Sequence, residues 1–148
     1  MRVHASILVQ RPIAAVFAYL NTPAHLSCWL AGVVRADGPP PEDQEVGDTV
    51  VLEHRSRLGH VRSTWEVTAY EPPRSLALRG LDNDAGAEVR WTLEGAPAGA
   101  TRIWVEADLT AVGFFQPAAP HLADLATRQV QADLASLRHQ LEAGTSAS

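Results

Sequence analysis

Hydrophobic residues recur with helical spacing along the C-terminal segment, residues 117–143. At about 100° per residue, one face of this segment carries Leu122, Ala126, Val130, Leu134, Leu137 and Leu141. Polar side chains occupy the opposite face, at Thr127, Gln131, Arg138 and His139. Pro117 and Pro120 suit a first helical turn, and Gly144 suits the position just after a helix. The pattern predicts one long amphipathic helix lying on an apolar surface.

The N-terminal thirty residues predict one strand and two short helices. Residues 3–10 alternate between apolar and polar side chains, which is typical of a half-buried strand. Apolar residues at i, i+3, i+4 and i+7 then predict a helix from Ile13 to Leu20. Thr22 and Pro23 favour the start of a second helix, as its N-cap and first residue. That second helix carries His25, Cys28 and Trp29.

The next eighty residues break at Gly- and Pro-containing turns into six predicted strands. Their predicted bounds are 33–37, 46–57, 60–71, 74–81, 87–94 and 101–111. Short loops between consecutive strands favour an antiparallel meander, and the alternation indicates one buried face. The predicted inward set is Val50, Leu52, His54, Val61, Ser63, Trp65, Val67, Ala69, Leu76, Leu78, Val89, Trp91, Leu93, Ile103, Val105, Ala107 and Leu109.

The element order β-α-α-β6-α predicts an α+β fold, with a seven-stranded antiparallel sheet curved around the long helix. A curved sheet and a straight helix cannot touch along their full length, so a cavity is expected between them. Trp65 and Trp91, with Trp29 and Phe115 near the mouth, either fill that space as core or line it for an apolar ligand. For Trp65 and Trp91 we slightly favour the core role, because globular interiors are close-packed.

Three polar side chains are candidates for the same cavity. Gln129 and Asp133 lie four residues apart at the edge of the apolar helix stripe, and His54 shares the inward strand face with Val50 and Leu52. They could orient a polar ligand group or transfer protons. Alternatively, Gln129 and Asp133 face water at the helix margin, and His54 lies at the sheet rim. We assign no catalytic residue.

Trp104 is predicted to lie on the outer face of the last strand, between Arg102 and Glu106. An exposed Trp indicates a contact surface or a stack on Arg90 across the strands. A bulge in the strand would instead turn the side chain inward. We favour the stack, with a homodimer through this face as a secondary hypothesis and a monomer otherwise.

Composition narrows the class of protein. The 148 residues predict a single domain over 1–144 and a short flexible tail over 145–148, with a net charge of −5 and no Lys. The Arg residues are scattered among acidic ones, so we expect no nucleic-acid partner. A single Cys and the absence of a signal-like or membrane-spanning segment predict a cytoplasmic protein. The histidines form no recognised ligand spacing, so neither a metal nor another cofactor is expected.

Several stretches resemble a known superfamily. They are ILVQRPIAAVF at 7–17, WEVTAYEPPRSL at 65–76, GATRI at 99–103 and DLASLRHQLE at 133–142. With the element order, they resemble the helix-grip fold of the START-like, or SRPBCC, domains, and most of all the polyketide cyclase/dehydrase and lipid transport group. The resemblance implies a cavity between the sheet and the long helix. These motifs specify turns and core positions rather than chemistry.

Three functional hypotheses follow from this reading. We favour binding of a hydrophobic or amphipathic small molecule, lipid- or polyketide-like, without catalysis. The second is a cyclase- or dehydratase-like enzyme that uses acid–base groups in the cavity. The third is a co-chaperone-like module that binds protein through its outer surface. The predicted ligand-binding residues are Trp29, His54, Trp65, Trp91, Phe115, Gln129 and Asp133.

Overall fold

The alternating segments form seven strands, which three helices accompany in the part of the chain that the structure describes. This computed structural model describes residues 2–56, 59–81, 86–108 and 122–143. The strands are β1 (Arg2–Val9), β2 (Val33–Asp37), β3 (Thr49–Ser56), β4 (Gly59–Glu71), β5 (Ser75–Gly80), β6 (Glu88–Ala96) and β7 (Ala100–Asp108). The helices are α1 (Ile13–Leu20), α2 (Pro23–Trp29) and α3 (Leu122–Ala143). Short 3-10 turns cover Pro41–Asp43 and Pro97–Gly99.

The strands join into one antiparallel sheet in the order β1-β7-β6-β5-β4-β3-β2. Strands β2 to β7 are neighbours in sequence order, as short connections favour, and β1 closes the far edge against β7. The sheet curls around the C-terminal helix as a half-barrel, so the predicted helix-grip fold is confirmed. The outer face carries charged cross-strand pairs such as Arg79 with Glu66.

The apolar stripe of α3 is buried as the periodicity predicts. Leu134, Leu137 and Leu141 belong to the hydrophobic core, where Val9 and Ile103 of the sheet are also fully buried. The helix packs mainly against β1 and also contacts both short helices. The predicted first residues of this helix, 117–121, and the Gly144 cap lie outside the described residues. Burial of this stripe therefore fixes α3 along one edge of the sheet.

A β-bulge in β4 reverses one predicted orientation. The register between β4 and β5 shifts between Val67 and Ala69, so that Tyr70 pairs with the buried Leu76. Tyr70 packs on the core and its ring lies 5.8 Å from that of Phe17. The prediction that Ala69 points inward is therefore wrong, because an extra residue moves the following side chains to the other face.

Strand β3 begins at Thr49, three residues later than predicted. The preceding residues form a loop after the 3-10 turn Pro41–Asp43, and Val46 is 60% exposed within it. The backbone N–H of Gly47 still donates to the carbonyl of Val67 at 2.8 Å. This loop therefore stays attached to β4, and it carries the buried side chain of Gln44.

Candidate functional site

A cavity of about 280 Å³ lies between the curled sheet and the second short helix. Its volume is at the small end of the range for ligand sites. Most of its wall is apolar. Eighteen described residues line it: Leu20, Asn21, Pro23, Leu26, Trp29, Leu30, Ala31, Val33, Gln44, Val50, Leu52, His54, Trp65, Leu76, Leu78, Val89, Trp91 and Asp133.

The sheet contributes its inward side chains to this cavity from β3 to β6. Their alternation places Val50, Leu52 and His54 on the same face of β3, as predicted. Helix α2 and the residues after it supply the opposite wall, whereas α3 supplies one described lining residue, Asp133. The cavity was expected between the sheet and the long helix. In the described residues the short helix forms more of it, because α3 lies towards β1.

Two tryptophans from different elements meet in the wall. The rings of Trp29 in α2 and Trp91 in β6 pack edge to face, with centroids 5.6 Å apart and an interplanar angle of 86°. The edge-to-face geometry adds stabilisation beyond that from the buried apolar area of the two rings. Trp29 is 3% exposed and Trp91 is 9% exposed. Both residues therefore belong to the hydrophobic core and also line the cavity, so the two roles left open by the sequence coexist.

A hydroxyl inside the sheet orients two other lining side chains. The indole Nε1–H of Trp65 donates to Ser63 Oγ at 3.0 Å, and His54 Nε2 lies 2.9 Å from the same oxygen. Ser63 is 4% exposed, so these contacts are shielded from water. Because a hydroxyl both donates and accepts, Ser63 can accept from Trp65 while it donates to a neutral His54. The three side chains form one network behind the cavity surface.

Asp133 is the acidic group of the site. Its Oδ1 accepts a hydrogen bond from the Gln129 side-chain amide at 2.9 Å and another from the backbone N–H of Ala31 at 3.2 Å. Burial raises the pKa of this carboxyl above its ordinary value of 3.8, and the two donors oppose that rise. The arrangement places a carboxyl with a raised pKa in the wall of a mostly apolar cavity.

Two buried amide side chains that the sequence analysis did not select also line the cavity. Asn21, the C-cap of α1, and Gln44 in the loop before β3 are each 6% exposed. Gln44 Oε1 and Trp29 Nε1 are buried without a hydrogen-bond partner, whereas the Asn21 amide interacts with the Tyr70 hydroxyl. Neither amide belongs to a periodic pattern that would reveal its direction. A polar residue at a helix end or in a loop is ordinarily exposed, so the sequence held no signal for either.

Tyr70 holds the loop that carries Gln44, where that loop forms part of the cavity wall. Its hydroxyl donates to the carbonyl of Pro41 at 2.7 Å, in the 3-10 turn that precedes Gln44. Burial raises the pKa of the Tyr70 hydroxyl, and the nearby Asn21 amide opposes that rise. The bulge in β4 that turns Tyr70 inward therefore also anchors the loop.

Of the seven predicted ligand-binding residues, the structure brings five to the cavity. They are Trp29, His54, Trp65, Trp91 and Asp133. Gln129 is exposed and is not among the lining residues, but it donates to Asp133 and can hold that carboxylate in place. Phe115 lies outside the described residues. Ligand contact by any of these residues stays a prediction.

The outer face of the sheet carries a second concavity, around Trp104. That side chain points outward and is 39% exposed, so the outward prediction is confirmed over an inward bulge. Arg90 lines the same groove together with His4, Glu94 and Glu106. The ring contacts found among the described residues do not include the expected stack of Arg90 on Trp104. The groove is more open than the cavity.

Among the described residues, no three side chains of His, Cys, Asp or Glu come together as metal ligands would. Across the same ranges, no helix has the length and apolar character needed to span a membrane.

Comparisons with known proteins agree with this architecture. A family model described as polyketide cyclase / dehydrase and lipid transport matches residues 1–142. A search of curated proteins found no match. Among solved structures, the ZhuI aromatase/cyclase from Streptomyces sp. R1128 is 18% identical with a TM-score of 0.75, over 96% of this chain and 93% of that one.

Two further solved structures show the same fold. Protein MLL2253 from Mesorhizobium loti is 21% identical with a TM-score of 0.72, over 98% of both chains. The Aha1 dimer from Colwellia psychrerythraea is 18% identical with a TM-score of 0.67, over 96% of both chains. At these identities the likeness shows the fold alone. It does not assign a ligand or a reaction.

Proposed function

Because the chain belongs to the polyketide cyclase/dehydrase and lipid transport family, we propose that it binds a small hydrophobic or amphipathic molecule in the cavity described above. The observation that carries this proposal is the wall itself. Aliphatic side chains and three tryptophans surround about 280 Å³, with a few polar groups among them. A mostly apolar cavity with a few convergent polar groups is the usual form of a small-molecule site.

Packing supports a function for this space. Protein interiors are close-packed, and an empty apolar cavity sacrifices dispersion contacts. Leu78 and Val89 are paired across β5 and β6, and both remain only partly buried where they line the cavity. A bound apolar molecule would restore the missing contacts. We place this binding function in the cytoplasm, as the single Cys suggests.

Binding of naphthalene tests the proposal, because it is apolar, uncharged and small. We expect saturable binding, followed by the change in intrinsic tryptophan fluorescence, since three of the four tryptophans line the cavity. Leu78→Trp should abolish binding by filling the space while the protein stays folded by circular dichroism. Val46→Trp, at an exposed loop position, is the matched control and should bind normally. Naphthalene binding that survives Leu78→Trp would refute the cavity as the site.

Asp133 favours a second candidate function, proton transfer on a bound carbonyl compound. Its carboxyl lines the apolar cavity, and burial raises its pKa towards the range in which carboxylates act as bases. The solved ZhuI structure is of an aromatase/cyclase. In this candidate reaction the Asp133 carboxylate removes a proton from the carbon beside a ketone, and the resulting enolate later regains one from the same carboxyl.

Hydrogen–deuterium exchange separates this candidate from binding alone. The methyl protons of 2-acetonaphthone in D₂O should exchange faster with the protein than in buffer, and Asp133→Asn should remove that acceleration. Asp124→Asn, at an exposed position of the same helix, is the control and should exchange as the wild type does. Binding of the ketone without faster exchange would leave the carrier function and exclude this chemistry.

A further inference from the structure

We propose that the cavity selects an uncharged ligand with a hydroxyl or carbonyl group and rejects anions, including fatty-acid carboxylates and phosphate-bearing lipids. This proposal rests on the proposed binding function and names the class of molecule that the site would accept. Three features of the wall support it: its charge, its uncharged hydrogen-bonding side chains and its size.

The charge of the wall opposes an anion. None of the eighteen lining residues is Arg, and the chain has no Lys. His54 and Asp133 are the titratable groups among them. Burying a carboxylate or a phosphate without a cation is costly, and a second carboxylate in the same site repels it further. Among the described lining residues, a negatively charged ligand would find no Arg or Lys to pair with and would meet the carboxyl of Asp133.

His54 is already engaged by the protein through one ring nitrogen. Its Nε2 is 2.9 Å from Ser63 Oγ, and that hydroxyl also accepts the indole N–H of Trp65.

The uncharged hydrogen-bonding groups of the wall favour a neutral polar group on the ligand. Asn21 and Gln44 line the cavity, and each is 6% exposed. A side-chain amide carries both donors and an acceptor and can turn either end towards a hydroxyl or a carbonyl.

Size restricts the ligand further. A volume of about 280 Å³ corresponds to roughly nine water molecules at about 30 Å³ each. A lipid with two acyl chains does not fit in such a space, whereas a molecule with two fused rings does. The edge-to-face pair of Trp29 and Trp91 provides flat apolar surface that suits such rings. The inferred ligand is thus a compact, neutral, ring-containing alcohol, phenol or ketone.

A matched series of two-ring probes tests this inference on the full chain. The series is naphthalene, 2-naphthol, 2-naphthoate and 2-naphthylmethylammonium, each titrated near neutral pH by tryptophan fluorescence and calorimetry. We expect 2-naphthol to bind at least about fivefold more tightly than naphthalene, as one added hydrogen bond gives. The naphthoate should bind at least about tenfold more weakly than naphthalene. Tightest binding by the naphthoate or by the ammonium would overturn the proposal.

Gln44→Leu assigns the effect to the wall, since leucine keeps much of the side-chain volume and removes the amide. We expect the advantage of 2-naphthol over naphthalene, measured as the ratio of their affinities for the same variant, to shrink. Asn21→Leu, which likewise removes an amide and keeps much of the side-chain volume, is a second variant should Gln44→Leu fail to fold. Gln131→Leu, at an exposed position of α3, is the control. A 2-naphthol advantage unchanged in both cavity variants would contradict the role of these groups.

The outcomes separate this inference from the function on which it depends. Naphthalene binding combined with a preference for the naphthoate would leave the cavity function standing and refute the neutral-ligand inference. If none of the four probes bound, the proposed function would fail and the inference would fail with it.

Discussion

The carboxylate of Asp133 accepts the backbone N–H of Ala31 at 3.2 Å, although the two residues are 102 positions apart in the chain. Ala31 follows helix α2, and Asp133 lies in the middle of α3. This hydrogen bond joins the two helical walls at the edge of the cavity. The polar margin of the α3 stripe is therefore a junction between elements and not only a surface exposed to water.

Asp133 should give the protein a pH dependence of known sign. Burial raises the pKa of its carboxyl above 3.8, so the folded state binds the proton more tightly than the unfolded chain does. Its contribution to stability is then largest at low pH and falls as the pH rises through the unfolded and folded pKa values. Asp133→Asn should consequently gain stability relative to the wild type between about pH 3 and about pH 7.

Urea denaturation across that pH range measures this difference. Asp124→Asn, on the exposed side of the same helix, provides the comparison. Altered hydrogen bonding to Ala31 can add an offset that is the same at every pH. A stability difference that stayed constant or fell as the pH rose would contradict the raised pKa of this carboxyl.

Leu137 should be one of the most sensitive positions in α3. Its side chain is 0% exposed and lies in the hydrophobic core. Leu137→Ala should lower the free energy of unfolding by about 2–5 kcal/mol, because both apolar transfer and cavity formation contribute. Leu125→Ala, at a position 56% exposed, should stay within about 0.5 kcal/mol of the wild type. Chemical denaturation measures both, and equal losses would show that the assigned helix face is wrong.

Ser63 should matter for stability although it is a small residue. Ser63→Ala would leave the Trp65 indole N–H without its acceptor and His54 Nε2 without its neighbour. We expect a loss of about 1–3 kcal/mol in the free energy of unfolding, the usual cost of stranding a buried polar partner. Ser6→Ala, an exposed serine on the outer side of β1, is the matched control and should be nearly neutral. A neutral Ser63→Ala would mean that this network contributes nothing.

Tyr70 should control the mobility of the loop that carries Gln44. Tyr70→Phe keeps the ring against Phe17 and removes the hydrogen bond to the Pro41 carbonyl. We expect a loss of about 1 kcal/mol and faster amide hydrogen exchange at Asp43 and Gln44. Tyr19→Phe is the comparison, since that ring stacks on His25 between the two short helices. Unchanged exchange in Tyr70→Phe would show that the loop is held by other contacts.

The sequence alone determined the fold and much of the cavity wall. Strand alternation has a period of two, so the direction of Val50, Leu52, His54, Trp65 and Trp91 followed once each strand was recognised. Helical periodicity likewise identified the buried stripe of Leu134, Leu137 and Leu141 in α3. These local rules hold because each strand or helix buries one face, and the spacing of residues along the element decides which side chains lie on that face.

Tertiary structure decided the rest, for reasons that periodicity does not contain. Asn21 and Gln44 are buried because other elements close over a helix end and a loop, and no local pattern encodes that. Tyr70 faces inward because of a bulge that only the pairing of β4 with β5 reveals. Asp133 lies at the margin of the apolar stripe, where a small rotation of α3 decides whether its side chain faces solvent or the cavity. Its partner Ala31 comes from a distant part of the chain.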